Sequence, residues 1–233
     1  MKDVKKTREQ LLMQSRYDID DLMQIVAILR GEGGCPWDME QTHESIRNDL
    51  IEETYEVIEA IDNADASLLR EELGDLLFQI AFHTQIEQEK ESFVLGDIIT
   101  DVSQKMIHRH PHVFGTVEVA GTSEVLSNWE KIKTEEKQRN SLAQKLRAIP
   151  PMLPALMRAQ KVAKKCGKYD ETDKNALLQL IRRQTEALAN ADDASDGIGV
   201  LLQTVTAYAQ KCGVSAEQAL FEQTNRLIDS VDI

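Results

Sequence analysis

Two acidic clusters contain the residues of this chain that are best suited to chemistry. Glu53 and Glu56 lie three positions apart, and so do Glu72 and Asp75. Residues at this spacing project from the same face of an α-helix, so each pair would place two carboxylates side by side. Carboxylate oxygens are the ligands that Mg²⁺ prefers, and Mn²⁺ accepts them too. The spacing therefore predicts a divalent-metal site made from four acids.

Two helices that face each other would have to position these acids. Apolar residues recur at helical spacing around both clusters, and the short polar segment 62–67 between them favours an antiparallel helix hairpin. Such a hairpin would gather the carboxylates beside a buried face, where a cation relieves their mutual repulsion. The apolar positions are Leu50, Ile51, Tyr55, Val57, Ile58 and Ile61 in the first helix, and Leu68, Leu69, Leu73, Leu76, Leu77, Ile80 and Ala81 in the second.

The alternative interpretation of each cluster is a solvated acidic helix face, which is common in an acidic chain. Two observations favour the metal site. The acids alternate with apolar residues instead of lying opposite them, and Arg70 is the only lysine or arginine between Leu50 and Gln85. Helix-surface ion pairs are therefore scarce around the clusters, and another source of positive charge is expected.

The rest of the first half is predicted to be helical, with loops between the helices. Residues 1–17 form a charged lead-in, and Asp18 is a plausible N-cap for a helix over 19–30. The second acidic helix is expected to reach about Glu89. A tight loop is predicted at 31–37, and the first acidic helix is expected to follow Thr42 or His43. A further helix is predicted over 95–108, and segment 110–115 should end it.

The second half is predicted to be a degenerate copy of the first. After a linker at 116–122 and a helix from Ser123 to about Gln138, three prolines within 150–154 suggest a domain boundary. Helices are then expected over 156–165, 174–190, 196–211 and 216–231. The predicted organisation is thus a lead-in at 1–17, a catalytic repeat at 18–115, a linker and connecting helix at 116–154, and a degenerate repeat at 155–233. In that repeat Arg182 and Arg183 replace Glu52 and Glu53, while Gly197 and Val200 replace Glu72 and Asp75.

Composition narrows the class of protein. The chain has 233 residues, a net charge of −13, 5% aromatic residues and only 5 prolines, which favours a mostly helical protein and argues against direct nucleic-acid binding. No apolar run approaches the ~20 residues that cross a bilayer, and the N-terminus lacks a signal pattern. Three widely spaced cysteines form neither a disulfide framework nor a zinc pattern. We therefore expect a cytoplasmic protein without a membrane partner.

The ordered motifs resemble the MazG family of all-α nucleoside triphosphate pyrophosphohydrolases. The resemblance rests on the acidic pattern and on segments that cover roughly residues 19–165: Gly34-Cys-Pro-Trp-Asp38, Leu69-Arg-Glu-Glu-Leu-Gly-Asp-Leu-Leu-Phe78, Arg109-His-Pro-His-Val-Phe114, Trp129-Glu-Lys-Ile-Lys133 and Leu153-Pro-Ala-Leu-Met-Arg-Ala-Gln-Lys161. It implies that a nucleoside triphosphate is cleaved between its α and β phosphates, giving a monophosphate and diphosphate, in housecleaning of the nucleotide pool.

The resemblance also implies roles for individual residues. Glu53, Glu56, Glu72 and Asp75 would bind Mg²⁺, and Glu52 would orient or deprotonate the attacking water. Lys105 and Arg109, four apart on one helix, would contact phosphates; the alternative is a pair of exposed cations near a helix C-terminus. Trp37 would stack on the base or line its pocket; the alternative is that Trp37 packs in the core. Lys131, Lys133 and Lys137 are further candidates for phosphate contacts, although solvated positions are favoured for them.

Two other groups of residues suggest chemistry less strongly. Cys35 has no adjacent base and is expected to fill space. His108, His110 and His112 flank a proline without the helical spacing of a metal site, so capping and packing roles are favoured.

The expected fold is all-α, with tandem four-helix units in a helical bundle assembled by dimerisation. One such unit would expose apolar surface alone, and the resemblance implies that such units dimerise. We therefore expect a homodimer, with the active site in the first repeat and a structural, dimerisation or regulatory role for the second. This chain departs from family members that keep the acids in both repeats, because its second repeat has lost most of them. Two alternatives remain open: an enzyme acting on another nucleotide, such as an alarmone or dUTP, and a nucleotide- or partner-binding regulatory scaffold with a vestigial site.

Overall fold

The chain divides into two compact units, residues 1–118 and 119–233. The computed structural model describes residues 6–136, 141–189 and 193–231, and every regular element in these ranges is an α-helix. The prediction of an all-α fold is therefore confirmed. The helices of the first unit are α1 (Arg8–Leu12), α2 (Ile19–Arg30), α3 (Pro36–Glu40), α4 (Arg47–Asp62), α5 (Ala66–Glu89), α6 (Leu95–Arg109) and α7 (Pro111–Phe114).

The acidic helices form the expected hairpin. The linker that joins α4 to α5 has three residues, and the two helices pack along each other. Asp65 caps α5 by accepting hydrogen bonds from the backbone N–H groups of Ser67 and Leu68, at 2.9 and 3.0 Å. The cap fixes the start of α5, which lies nearly two turns before Glu72. The hairpin prediction is confirmed, as is the end of α5 at Glu89.

The core of the first unit lies at the other end of α5. Phe82, which is 2% exposed, contacts Val26 of α2 and Ile46, with Phe78 packed against the cluster in an edge-to-face arrangement. The prediction that Phe78 and Phe82 are core residues is confirmed. The core thus holds one half of α5, while the half with the acids remains near the surface.

Arg30 connects three elements around this core. Its guanidinium forms a two-pronged ion pair with Glu89, with N–O distances of 2.9 and 2.8 Å, and also donates to the backbone oxygens of Asp38 and Gln41, at 2.7 and 3.0 Å. It also lies 5.0 Å from the centre of the Phe82 ring. Arg30 therefore fixes α3 and the end of α5 to α2.

Several predicted boundaries differ from the structure. The loop predicted at 31–37 ends at Cys35, because Pro36 occupies the first position of α3, where proline is tolerated. Turns occupy 43–46, so α4 begins only at Arg47. The segment expected to terminate α6 contains the short helix α7. The tight turn before α3 was predicted correctly, and a Cβ on Gly34 would lie only 2.2 Å from the Leu29 oxygen.

The second unit contains the remaining helices, and their boundaries lie close to those predicted. They are α8 (Thr122–Glu136), α9 (Leu142–Arg147), α10 (Ala155–Cys166), α11 (Lys174–Leu188), α12 (Ser195–Lys211) and α13 (Ala216–Asp229). The sequence did not predict α9. Within this unit α12 packs against α10, α11 and α13. The prolines of 150–154 lie inside the unit, and the predicted helix ends at Gln138 and Asn190 lie outside the described residues, as does Lys137. The interpretation as a degenerate repeat stays a prediction.

None of the described helices combines the length and the apolarity that a membrane crossing requires.

Candidate metal centre

The hairpin brings three of the four predicted metal ligands together. Glu53 and Glu56 of α4 and Glu72 of α5 each offer a carboxylate oxygen, and these three oxygens lie within 4.8 Å of one another. All three side chains are half-buried. The i, i+3 spacing aligns the two glutamates of α4, and the hairpin supplies the third from the facing helix. The cluster is therefore built from residues that the sequence singled out.

Charge repulsion and partial burial act on these acids together. Partial burial raises the pKa of the Glu53 carboxyl, and the negative charges of Asp75, Glu56 and Glu72 raise it further. Partial burial likewise raises the pKa of Glu72, with further increases from Glu56 and Asp75. A hydrogen bond to Glu56 contributes to both shifts. Glu56 is thus electrostatically coupled to an acid on each helix.

Asp75 and Glu52 do not belong to the group of three acids, and both residues are exposed. Asp75 nevertheless acts on the pKa of both Glu53 and Glu72, so its carboxylate lies close enough to interact with each. The role of Asp75 as a ligand and that of Glu52 toward water stay predictions.

The donor set suits a hard divalent cation. Three half-buried carboxylates offer only oxygen ligands, which favour Mg²⁺ or Mn²⁺ over metals that prefer nitrogen or sulfur. The main charges that act on Glu53 and Glu72 are other carboxylates, so the described surroundings supply little to balance them. The site therefore fits a divalent metal, while the identity of the metal stays a prediction.

The predicted phosphate contacts lie on α6, outside the group of three acids. Lys105 is exposed, whereas Arg109 at the end of α6 is 6% exposed. The alternative interpretation of two exposed cations is therefore wrong for Arg109, because Arg109 is buried and is not without a partner. Neither residue is among the main charges that act on Glu53 or Glu72.

The other two predicted substrate contacts lie apart in sequence from the acids. Trp37 on α3 is 59% exposed, so the alternative of core packing is wrong and its ring remains accessible for stacking. Lys133 belongs to the second unit, where its ammonium lies 4.3 Å from the Trp129 ring centre and 3.6 Å from a Glu130 oxygen. Contact of either residue with substrate stays a prediction.

A histidine pair that sequence reasoning did not assign links the α3–α4 connection to α5. The Nδ1 atoms of His43 and His83 lie 2.7 Å apart, and His43 Nε2 lies 2.7 Å from a Glu87 oxygen. Hydrogen bonds from Lys90 and then His43 lower the pKa of Glu87 to about 2, while burial followed by the charge of His43 lowers that of His83. Forty residues separate the two histidines, so local spacing gives no signal for the pair.

Comparison with known proteins agrees with the motifs. Residues 41–114, which include all the clustered acids, match the family model described as MazG nucleotide pyrophosphohydrolase domain. The chain is 41% identical over 218 residues to the nucleoside triphosphate pyrophosphohydrolase of Escherichia coli K12, covering 87% of this chain and 81% of that protein.

Two further relatives extend the comparison. Identity is 35% over 215 residues to the Thermotoga maritima protein named nucleoside triphosphate pyrophosphohydrolase/pyrophosphatase MazG, covering 90% of this chain and 82% of that one. The nucleoside triphosphate pyrophosphohydrolase of Mycobacterium tuberculosis is 38% identical over 135 residues, or 57% of this chain and 40% of its own length. Because these matches cover most of the chain and include the acidic hairpin, the chain belongs to the MazG nucleotide pyrophosphohydrolase family.

Proposed function

We propose that this protein is an Mg²⁺-dependent nucleoside triphosphate pyrophosphohydrolase. It would convert a ribo- or deoxyribonucleoside triphosphate and water into the monophosphate and diphosphate, in housecleaning of the nucleotide pool. The observation that carries the proposal is the group formed by Glu53, Glu56 and Glu72, which lies inside the segment that matches the family. The names of the E. coli and T. maritima relatives support the same reaction.

The chain's own residues divide the work of the reaction. Glu53, Glu56, Glu72 and Asp75 would hold the metal, with Mn²⁺ able to replace Mg²⁺. When bound, the metal supplies positive charge for the triphosphate oxygens and makes water more acidic. Lys105 and Arg109 would supply further positive charge to the phosphates, and the accessible ring of Trp37 would stack on the base.

In this proposal Glu52 accepts the proton that the attacking water loses. A water oxygen forms the new bond to the α-phosphorus, and the bond from that phosphorus to the bridging oxygen breaks. Diphosphate leaves with the bonding electron pair, and a carboxylate oxygen of Glu52 accepts the proton of the attacking water. The exposed position of Glu52 next to Glu53 leaves it accessible to water and free of a structural role in the core.

The test is diphosphate and phosphate release from a panel of ribo- and deoxyribonucleoside triphosphates with Mg²⁺ or Mn²⁺. We expect diphosphate without phosphate, lost with chelator and reduced by at least about 100-fold in Glu53→Gln. The matched control is Glu59→Gln, which removes an exposed acid of the same helix and should retain activity. Release of phosphate alone, or equal rates in the two variants, would contradict the proposal; no turnover at all would favour the scaffold alternative.

A further inference from the structure

The second unit contains a cavity of about 630 Å³ lined by lysines. It lies between three helices that are separated along the chain, and its charged lining is strongly positive in a protein whose net charge is −13. One acid, Glu130, and one hydroxyl residue, Thr134, complete its polar lining. The lysines are Lys131 and Lys133 of α8, Lys145 of α9, and Lys161, Lys164 and Lys165 of α10.

Local helix preferences explain only part of this arrangement. Lys164 and Lys165 lie in the last turn of α10, where the helix dipole favours cations. That effect does not account for Lys161, one turn earlier, or for Lys131 and Lys145, which reach the same cavity from other helices. Like charges that converge on one opening repel one another, so their convergence is unfavourable unless an anion joins them.

Most of these lysines form no ion pair with an acid in the part of the chain that the structure describes. Lys133 lies 3.6 Å from Glu130 and over the Trp129 ring, so it is already engaged. Over the ranges 6–136, 141–189 and 193–231, the other five lysines form no salt bridge within 4.0 Å. The half-buried Lys145 and its exposed neighbours are therefore available to a ligand.

We propose that this lysine pocket binds a polyphosphate chain, either that of a nucleoside triphosphate or an inorganic one. Ammonium groups bind phosphate oxygens as compact charges with several donors, and several such groups match the several charges of a di- or triphosphate. A volume of about 630 Å³ suits a small ligand. A nucleic acid would need an extended basic surface instead, and the net charge of −13 opposes its approach.

All the residues that line the pocket belong to the second unit, and none of them is an acid proposed to hold the metal. Binding to the pocket can therefore be measured in chelator, where hydrolysis is not expected. The full-length protein would be titrated calorimetrically with inorganic triphosphate and, separately, with a nucleoside triphosphate, with inorganic sulfate as a monomeric anion. The affinity of both polyphosphates should exceed that of sulfate by at least about tenfold and fall as salt rises. Equal affinities would assign recognition to the phosphate chain alone, whereas tighter nucleotide binding would add a contact to the nucleoside.

The decisive comparison uses two double variants that remove the same charge. Lys161→Gln/Lys164→Gln should weaken triphosphate binding by at least about tenfold, as expected for lost charge-assisted hydrogen bonds. Lys168→Gln/Lys174→Gln, which changes exposed lysines outside the pocket, should bind within about twofold of the parent. Equal affinity in the two variants, no preference over sulfate, or binding only to oligonucleotides would overturn the proposal. Retained binding in Glu53→Gln would keep this result separate from any failure at the acidic cluster.

Discussion

The carboxylates of Glu53, Glu56 and Glu72 repel one another when no cation lies between them. This repulsion should affect the stability of the fold in a direction that depends on pH. The pKa of Glu53 is raised by burial and by its acidic neighbours. A folded-state pKa above the unfolded value means that the folded chain binds more protons. The stability supplied by that proton is present at low pH and is lost as the pH rises through the folded-state pKa. The acids thus weaken the metal-free fold near neutral pH, at the place where a metal would bind.

Glu53→Gln should therefore raise the stability of the metal-free protein while it removes activity. Neutralising one acid of the cluster relieves repulsion, and at about pH 7.5 we expect a gain of about 0.5 kcal/mol, or about 1–2 °C in Tm. The gain should be smaller at about pH 5 than at about pH 7.5, because a raised pKa means that the wild-type cluster gains protons as the pH falls. The gain is measured by thermal unfolding in chelator at both pH values, with Glu59→Gln as the control. A variant less stable than wild type at both values would contradict this account of the cluster.

At the scale of the elements, periodicity was sufficient to predict the acidic hairpin and the helices around it. The i, i+3 acids, the apolar spacing and the polar segment 62–67 are all local signals, and so is the Asp18 cap of α2. Contacts between distant residues have no such signal. The ion pair of Arg30 with Glu89 joins residues 59 positions apart, and the exposure of Trp37 depends on how α3 lies against α2. For that reason the sequence predicted which acids cluster on the hairpin better than it predicted the surroundings of Arg30 and Trp37.

Arg30→Ala should destabilise the first unit strongly. The side chain is 6% exposed, and its loss leaves Glu89 and two backbone oxygens without their donors. We expect a loss of about 3 kcal/mol in the free energy of unfolding, measured by urea denaturation. The stability of Arg30→Lys should lie between those of the wild type and Arg30→Ala, because one ammonium cannot reproduce the planar, two-pronged contact of the guanidinium. Arg47→Ala, at an exposed arginine, is the control and should change little; a similar loss in both alanine variants would remove the special role of Arg30.

At the scale of the whole molecule, the acidic hairpin exposes apolar side chains that the described residues of its own unit do not cover. Ile51 and Tyr55 of α4 and Leu73 and Leu77 of α5 are between 39% and 51% exposed. Several large apolar side chains on one hairpin are more than the scattered exposure that is normal for a monomer. Part of the apolar face that the sequence predicted to be buried is therefore not covered by the described residues of this unit, which is the pattern expected when a second copy covers it.

The protein is accordingly predicted to be a homodimer that buries the exposed face of α4 and α5. Light scattering should give twice the chain mass of 26.3 kDa at micromolar concentration. Leu77→Glu would place a charge in the interface and should shift the protein toward the monomer, because desolvating that charge opposes association. Leu12→Glu is the matched control: Leu12 is 82% exposed on α1, away from the hairpin, and its substitution should leave the dimer intact. A wild-type monomer, or a Leu77→Glu variant that dimerises as well as the control, would show that the exposed face has another role.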